Sequence, residues 1–242
     1  MKLVNIVGAR PQFIKLAPLE RAIAEFNSGD TRSVESVIIH TGQHYDSGMS
    51  DIFFDELKIP RAHFHLDVGS GRHGEQTGRM LEKIEHILLD TSPDMVVTYG
   101  DTNSTLAGAL AASKLHIPVA HVEAGLRSFD RRMPEEINRL VADHVSDLLL
   151  APTPTAVTNL GNENLSSRTV LTGDIMYDAV LFNRDLAKQQ SAILKKLQLE
   201  PGSFGLVTVH RASNTDDEQR LGKLLKTFNE VAAKQLPLVF PV

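Results

Sequence analysis

Short apolar runs at residues 3–7, 34–40, 95–99, 118–122, 147–151 and 169–171 alternate with helix-spaced segments at 14–26, 76–89, 104–115, 135–144 and 156–161. This alternation constrains the fold more than any other feature of the chain. The runs are rich in Val, Ile and Leu and nearly continuous, as strands covered on both faces must be. Strand and helix in such succession predict an α/β domain on a Rossmann-like, doubly wound parallel sheet.

The same pattern gives a domain plan. Residues 1–175 form the first Rossmann-like domain. Residues 176–204 form a connecting helix and linker, amphipathic over 177–199 and ending in the turn-rich LQLEPGSF. Alternation then restarts, with strands at 205–209 and 238–242 around a helix at 217–234. One βαβ unit cannot bury both faces of its own sheet. Residues 205–242 are therefore expected to be the start of a second, truncated Rossmann-like domain, the other possibility being that these strands join the first sheet.

Composition narrows the function classes. The 242 residues are 42% hydrophobic and 23% charged, ordinary for a soluble domain with a core. A net charge of -5 argues against a nucleic-acid partner, which calls for a basic face. The chain has no cysteine, which excludes disulfides, thiolate nucleophiles and Cys-ligated metals and fits a cytoplasmic location. The opening MKLVNIVGARPQF reads as a buried first strand, because Arg10 and Pro11 end its apolar run too early for a signal peptide. No stretch approaches the roughly 20 apolar residues that span a bilayer, so no membrane partner is expected.

Ligands of open α/β sheets bind beyond the carboxyl ends of the strands. The residues there are unusually chemical. GARPQFIK follows the first strand, with Arg10 and Lys15 at a helix start whose free N–H groups suit phosphate. The plain alternative is a surface arginine and a solvated lysine. TGQHYD follows the second strand and offers Gln43 and His44, or simply a hydrogen-bonded loop. GDTNST follows residue 99, where Asp101 suits either a helix cap or a catalytic acid. Glu123 ends the buried run 118–122; it needs a partner such as Arg127, or serves acid–base chemistry. In PEEINR, Pro134 and two acids make a good helix start, with Glu135 and Arg139 spaced as an i,i+4 pair. His210 and Arg211 follow the run 205–209, either as a pyrophosphate contact or as a solvated loop pair. Carboxylates and cations on one side of a sheet describe a site for an anionic phosphate ligand, with acids held for proton transfer.

The run Gly69–Gly74 spells G-x-G-x-x-G, but it does not follow the first strand, where dinucleotide sites place it. No NAD site is expected from it. The chain carries no Walker A sequence and no His-Glu-x-x-His metal site.

GARPQFIKLAPL, TGQHYD, GDTNSTLAGALAA, HVEAGLR, PEEINR, TGDIMYDA and VTVHRASN, in this order along the chain, resemble the non-hydrolysing UDP-N-acetylglucosamine 2-epimerases. The resemblance implies a glycosyltransferase-B-type architecture of two Rossmann-like domains with UDP in the cleft, of which this chain holds the first and part of the second. It implies interconversion of UDP-N-acetylglucosamine and UDP-N-acetylmannosamine for surface polysaccharides, by a cytoplasmic homodimer with no cofactor and no metal. By the same resemblance Asp101, Glu123, Glu135 and His210 are catalytic, and Arg10, Lys15, Arg139 and Arg211 bind substrate. Gln43 and His44 fall in a segment that helps bind an activating second substrate molecule in bacterial members. The implied reaction eliminates UDP across C1–C2 and adds it back with C2 protonated from the other face. Close relatives act on UDP-linked diacetamido uronic acids. A glycosyltransferase of the same architecture and an inactive UDP-sugar-binding fragment remain as alternatives.

Overall fold

The computed structural model describes residues 1–29, 33–43, 57–209 and 212–241. The chain divides into two compact units, Met1–Phe182 and Asn183–Val242.

The first unit is the expected doubly wound sheet. In chain order it holds β1 (Lys2–Val7), α1 (Arg10–Gly29), β2 (Glu35–His40), β3 (Phe64–His65), α2 (His73–Thr91), β4 (Met95–Tyr99) and α3 (Asn103–Lys114). β5 (Val119–Val122), α4 (Pro134–Val145), β6 (Leu148–Ala151), α5 (Pro154–Asn162) and β7 (Thr169–Leu171) follow. The last helix, α6 (Ile175–Gln190), crosses the boundary between the units. All seven strands are parallel, in the order β3-β2-β1-β4-β5-β6-β7. The order reverses between β1 and β4, which opens the crevice where such sheets bind ligands.

Continuous apolar runs became strands because both faces are covered. Val4, Ile6 and Val96 lie in one cluster with Met80 and Ile84 of α2 and Ala107 and Ala111 of α3. On the opposite face Val97, Tyr99 and Ala120 pack with Phe13, Leu16 and Ala17 of α1. Leu149 and Ala151 pack with Ala156 and Leu160 of α5. Two details differ from the sequence expectation. α1 starts at Arg10 rather than residue 14, since Pro11 fits a first helical turn that has no apolar periodicity of its own. β3 is only two residues long and carries no apolar run to announce it.

The second unit contains α7 (Ile193–Lys196), β8 (Gly205–Leu206), α8 (Ala212–Thr215), α9 (Glu218–Lys234) and β9 (Leu238–Val239). β8 and β9 form their own two-stranded parallel sheet and do not join the first one. The amphipathic stretch read over 177–199 is broken after Gln190, giving α6 and the single turn α7. Asp217 caps α9 by accepting the Gln219 and Arg220 amides.

Candidate functional site

The crevice between β1 and β4 is built by side-chain amides. Gln12, buried in the first turn of α1, accepts hydrogen bonds from the Gly8 and Ala9 amides at 2.8 and 3.1 Å. Its Nε2 donates to the Tyr99 carbonyl and to Thr105 Oγ1. One side chain thus ties the loop after β1 to the loop after β4. Gly8 is required there: a methyl group would overlap the Thr41 and Ser104 hydroxyls. The amides of Gly8 and Ala9, just before the helix start, are therefore already engaged. Arg10 is exposed on the next residue and makes no ion pair with a described residue.

Gln43 joins the same frame. Its Oε1 accepts from the Ser104 amide and hydroxyl at 3.0 and 2.7 Å. Gln76 donates to the Gly69 carbonyl and accepts from Asn103, and Asn138 donates to the carbonyl of Asp101. The starts of α2, α3 and α4 are locked together by amides around Asp101. The glycine run 69–74 follows β3, the edge strand of the sheet, and enters the first turn of α2.

Asp101 is not the cap of α3. Thr102 is, in a capping box with Thr105. Asp101 is left to bind Arg139, whose Nε and Nη2 both reach Oδ2. Arg139 also donates to Glu136 at 2.9 Å, so the expected pair with Glu135 gives way to an i,i+3 pair. Burial opposes the Arg139 charge, but Asp101 and Glu136 outweigh it and raise its pKa. Glu136 is 2% exposed and accepts from the Ser128 amide and hydroxyl and the Phe129 amide. Burial pushes its pKa up, yet these donors and Arg139 bring it below the usual carboxylate range. Its neighbour Glu135 is exposed.

Glu123 ends β5 with φ +72°, outside the usual region for its residue type. Its partner is not Arg127 but Lys15, with which it forms a close ion pair. Lys15 is buried, with Gly100 directly beside its ammonium; Gly100 has φ +63°, and a Cβ there would lie 2.9 Å from Nζ. Glu123 also edges a cavity of about 300 Å³ on the α1 face of the sheet, floored by Val97, Val122, Leu148 and Leu150. No other predicted site residue lines that cavity.

A second polar cluster lies beneath these loops. His121, fully buried in β5, meets Asp143 through Nδ1 at 2.6 Å and the Gly100 carbonyl through Nε2 at 2.7 Å. Asp143 also accepts from the Gly125 amide at 3.0 Å and from Arg127 at 2.7 Å. Burial raises the Asp143 pKa, but His121 and Arg127 outweigh it and hold the group below its ordinary value. Arg127 forms a two-pronged pair with Glu163. The pKa of Arg127, lowered by burial, is raised overall by these two acids. Sequence reading missed His121 and Asp143; a histidine inside an apolar strand that must find partners was the available signal.

Of the predicted residues, Asp101 and Glu123 follow strand ends, Arg10 and Glu135 stand at helix starts, and Lys15 and Arg139 lie in the second turns of α1 and α4, on the carboxyl side of one sheet. His44, His210 and Arg211 lie outside the described residues. Among the described residues no group of three or more His, Cys, Asp or Glu could hold a metal ion, and no helix is long and apolar enough to cross a membrane.

A family model described as UDP-N-acetylglucosamine 2-epimerase matches residues 28–242. The chain is 54% identical over 243 residues to a UDP-N-acetylglucosamine 2-epimerase homolog of Methanococcus maripaludis, covering 100% of this chain and 65% of the relative. It is 48% identical to the UDP-2,3-diacetamido-2,3-dideoxy-D-glucuronate 2-epimerase of Pseudomonas aeruginosa, covering 100% of this chain and 66% of that one. Among solved structures, UDP-GlcNAc 2-epimerase of Methanocaldococcus jannaschii in complex with UDP-GlcNAc and UDP superposes with a TM-score of 0.87 at 44% identity. That match covers 99% of this chain and 65% of the solved one. The chain thus spans about 65% of the length of the relatives it matches.

Proposed function

Because the chain belongs to the UDP-N-acetylglucosamine 2-epimerase family, we propose that it carries the carboxylate-bearing side of an enzyme that epimerises a UDP-linked acetamido sugar at C2. UDP-N-acetylglucosamine and UDP-N-acetylmannosamine are the pair we assign first. One observation carries the reading: Glu123 pairs with Lys15 and Asp101 with Arg139 on the carboxyl side of one sheet, where Arg10 and Glu135 stand exposed at helix starts. Carboxylates to move a proton and cations to hold a departing diphosphate are what the reaction needs.

The proton on C2 has no neighbouring carbonyl to acidify it, so direct removal to a free carbanion is too slow. In the proposed route a carboxylate takes the C2 proton while the C1–O bond to UDP breaks. The C–H electron pair becomes the C1=C2 bond, and UDP leaves with the C1–O pair. UDP then adds back through its oxygen to C1, and C2 receives a proton on the opposite face. Asp101 and Glu135 share the acid and base roles. Asp101 keeps Oδ1 without a donor among the described residues, because Arg139 occupies only Oδ2. Glu135 is exposed and therefore open to a ligand. Glu123 and Lys15 orient the sugar and set local charge, Arg10 meets the diphosphate, and Arg139 holds Asp101. His210 and Arg211 bind the diphosphate from the second domain, which we place over 205–242. Gln43 and His44 serve an activating second ligand, and the enzyme works as a homodimer.

The test is incubation with UDP-N-acetylglucosamine in D2O, following the C2 proton by NMR. Loss of that signal with growth of the manno epimer supports the assignment. The Pseudomonas relative motivates a parallel trial with the UDP-linked diacetamido glucuronate; exchange there alone would move the substrate to that sugar. Exchange with neither substrate, in a full-length protein that binds UDP, would sink the catalytic reading and leave a binding protein.

A further inference from the structure

We propose that His121, held by Asp143, is a positioning residue: it pins the Gly100 peptide and so fixes Asp101 relative to Glu123. This inference rests on the function proposed above for the part that concerns turnover, and on geometry alone for the rest.

Both nitrogens of His121 face groups that only accept. Nε2 lies 2.7 Å from a backbone carbonyl, and Nδ1 lies 2.6 Å from a carboxylate oxygen of Asp143, whose other oxygen takes the Gly125 amide and the Arg127 guanidinium. Each contact therefore needs a hydrogen from the ring, and His121 donates twice. A rigid ring with donors on opposite sides can bridge these two groups.

The bridge reaches both reacting loops. Gly100 directly precedes Asp101 and is held on both sides, its N–H by the Val122 carbonyl at 3.0 Å and its C=O by His121. Asp143 takes the Gly125 amide on its other oxygen, two residues past Glu123. The Glu123 amide is bound in turn by the Leu150 carbonyl. A glutamate at positive φ persists only where the surroundings over-determine it, and these bonds do so. Stability alone is a weak reason to bury His121, Asp143 and Arg127 together, because well-packed apolar side chains usually serve a core as well or better. Setting the separation of two acids is a reason that apolar residues cannot meet.

The first arm of the test needs no activity. In the chain labelled with 15N-histidine, one residue should give two ring N–H signals, both slow to exchange, and both should vanish in H121Q. A single ring N–H assigned to His121 would overturn the proposal. The second arm uses the full-length enzyme. There H121Q should lower kcat about 100-fold, as expected for a misplacement of about 1 Å, with KM within about twofold. A kcat that stays unchanged per folded molecule, with only the folded fraction reduced, would mean a structural role and refute positioning. Should H121Q not fold, D143N takes its place: loss of the Nδ1 hydrogen signal with the same split between kcat and KM is expected, and an unchanged kcat refutes. If the wild-type enzyme shows no C2 exchange, the function has failed while the ring signals still decide the bridge.

Discussion

Arg139 gives two N–H groups, Nε and Nη2, to a single oxygen of Asp101, at 3.0 and 2.6 Å, and its Nη1 to Glu136 at 2.9 Å. The planar guanidinium thus aligns one acid while neutralising another that is fully buried. A lysine keeps the charge but cannot reach both acids in this fork. R139K is expected to lower the epimerisation rate at least about tenfold and to cost about 1–2 kcal/mol of stability, since charge-assisted bonds of this kind contribute on that scale. Thermal unfolding and the C2 exchange rate measure the two effects. An R139K protein with wild-type turnover would mean that Asp101 needs no such alignment.

Neighbouring acids at the start of α4 should behave oppositely. Glu135 is exposed, and Glu136 is buried against Ser128, Phe129 and Arg139. E135Q should leave the melting temperature unchanged and lower turnover about 100-fold, the usual scale of a lost acid or base. E136Q should lower the melting temperature. The Glu136 pKa is depressed in the folded chain, so its stabilising contribution is present above the unfolded value of about 4.3 and is lost as pH falls through the folded value. The stability gap between wild type and E136Q should therefore close on acidification; a gap constant with pH would contradict the assignment.

Glu20 predicts the reverse sign. It sits in a buried network under α1, accepting from Ser36 and Asn5, with the Tyr99 hydroxyl bound to Asn5. Burial raises its pKa more than the Ser36 hydrogen bond lowers it. A raised folded pKa stabilises fully below the unfolded value of about 4.3 and loses that contribution as pH rises through the folded value. E20Q avoids the buried charge, so it should gain on wild type as pH rises from about 4 to neutral. Urea unfolding at several pH values reads this directly, and a flat difference would count against it.

Much of this was legible beforehand, for identifiable reasons. Residues 95–99 read as a strand and are one, because burial of all but Met95 leaves a continuous apolar run. The strand-end rule put Asp101, Glu123 and Lys15 on the carboxyl side of the sheet, where the fold has them, because topology alone sets that position. Their partners were not legible. Asp101 meets Arg139 from 38 residues away, and Lys15 was never paired with Glu123 in the sequence reading, since tertiary pairing leaves no local spacing. Arg127 went to Asp143 and Glu163 because those acids converge on it in the fold, while Lys15 reaches Glu123. Gln12 escaped notice because an amide inside a helix has no sequence signature until the carbonyl it meets, that of Tyr99, is in place.

Phe129 stands in the loop between Glu123 and Glu135 at φ +58° with 77% of its surface exposed. A bulky residue in that left-handed region is strained, and here its ring recovers little by burial. The backbone conformation is imposed by Glu136, which accepts the Phe129 amide at 2.9 Å, and a new side chain leaves that bond intact. Asparagine tolerates positive φ. F129N should therefore stabilise the chain by about 1 kcal/mol, raising the melting temperature by roughly 2–4 °C in a domain of this size. If the melting temperature rises while UDP-sugar affinity is unchanged, the phenylalanine is only strained. If affinity falls as stability rises, the strained ring is kept for contact with the ligand, and the loop belongs to the site.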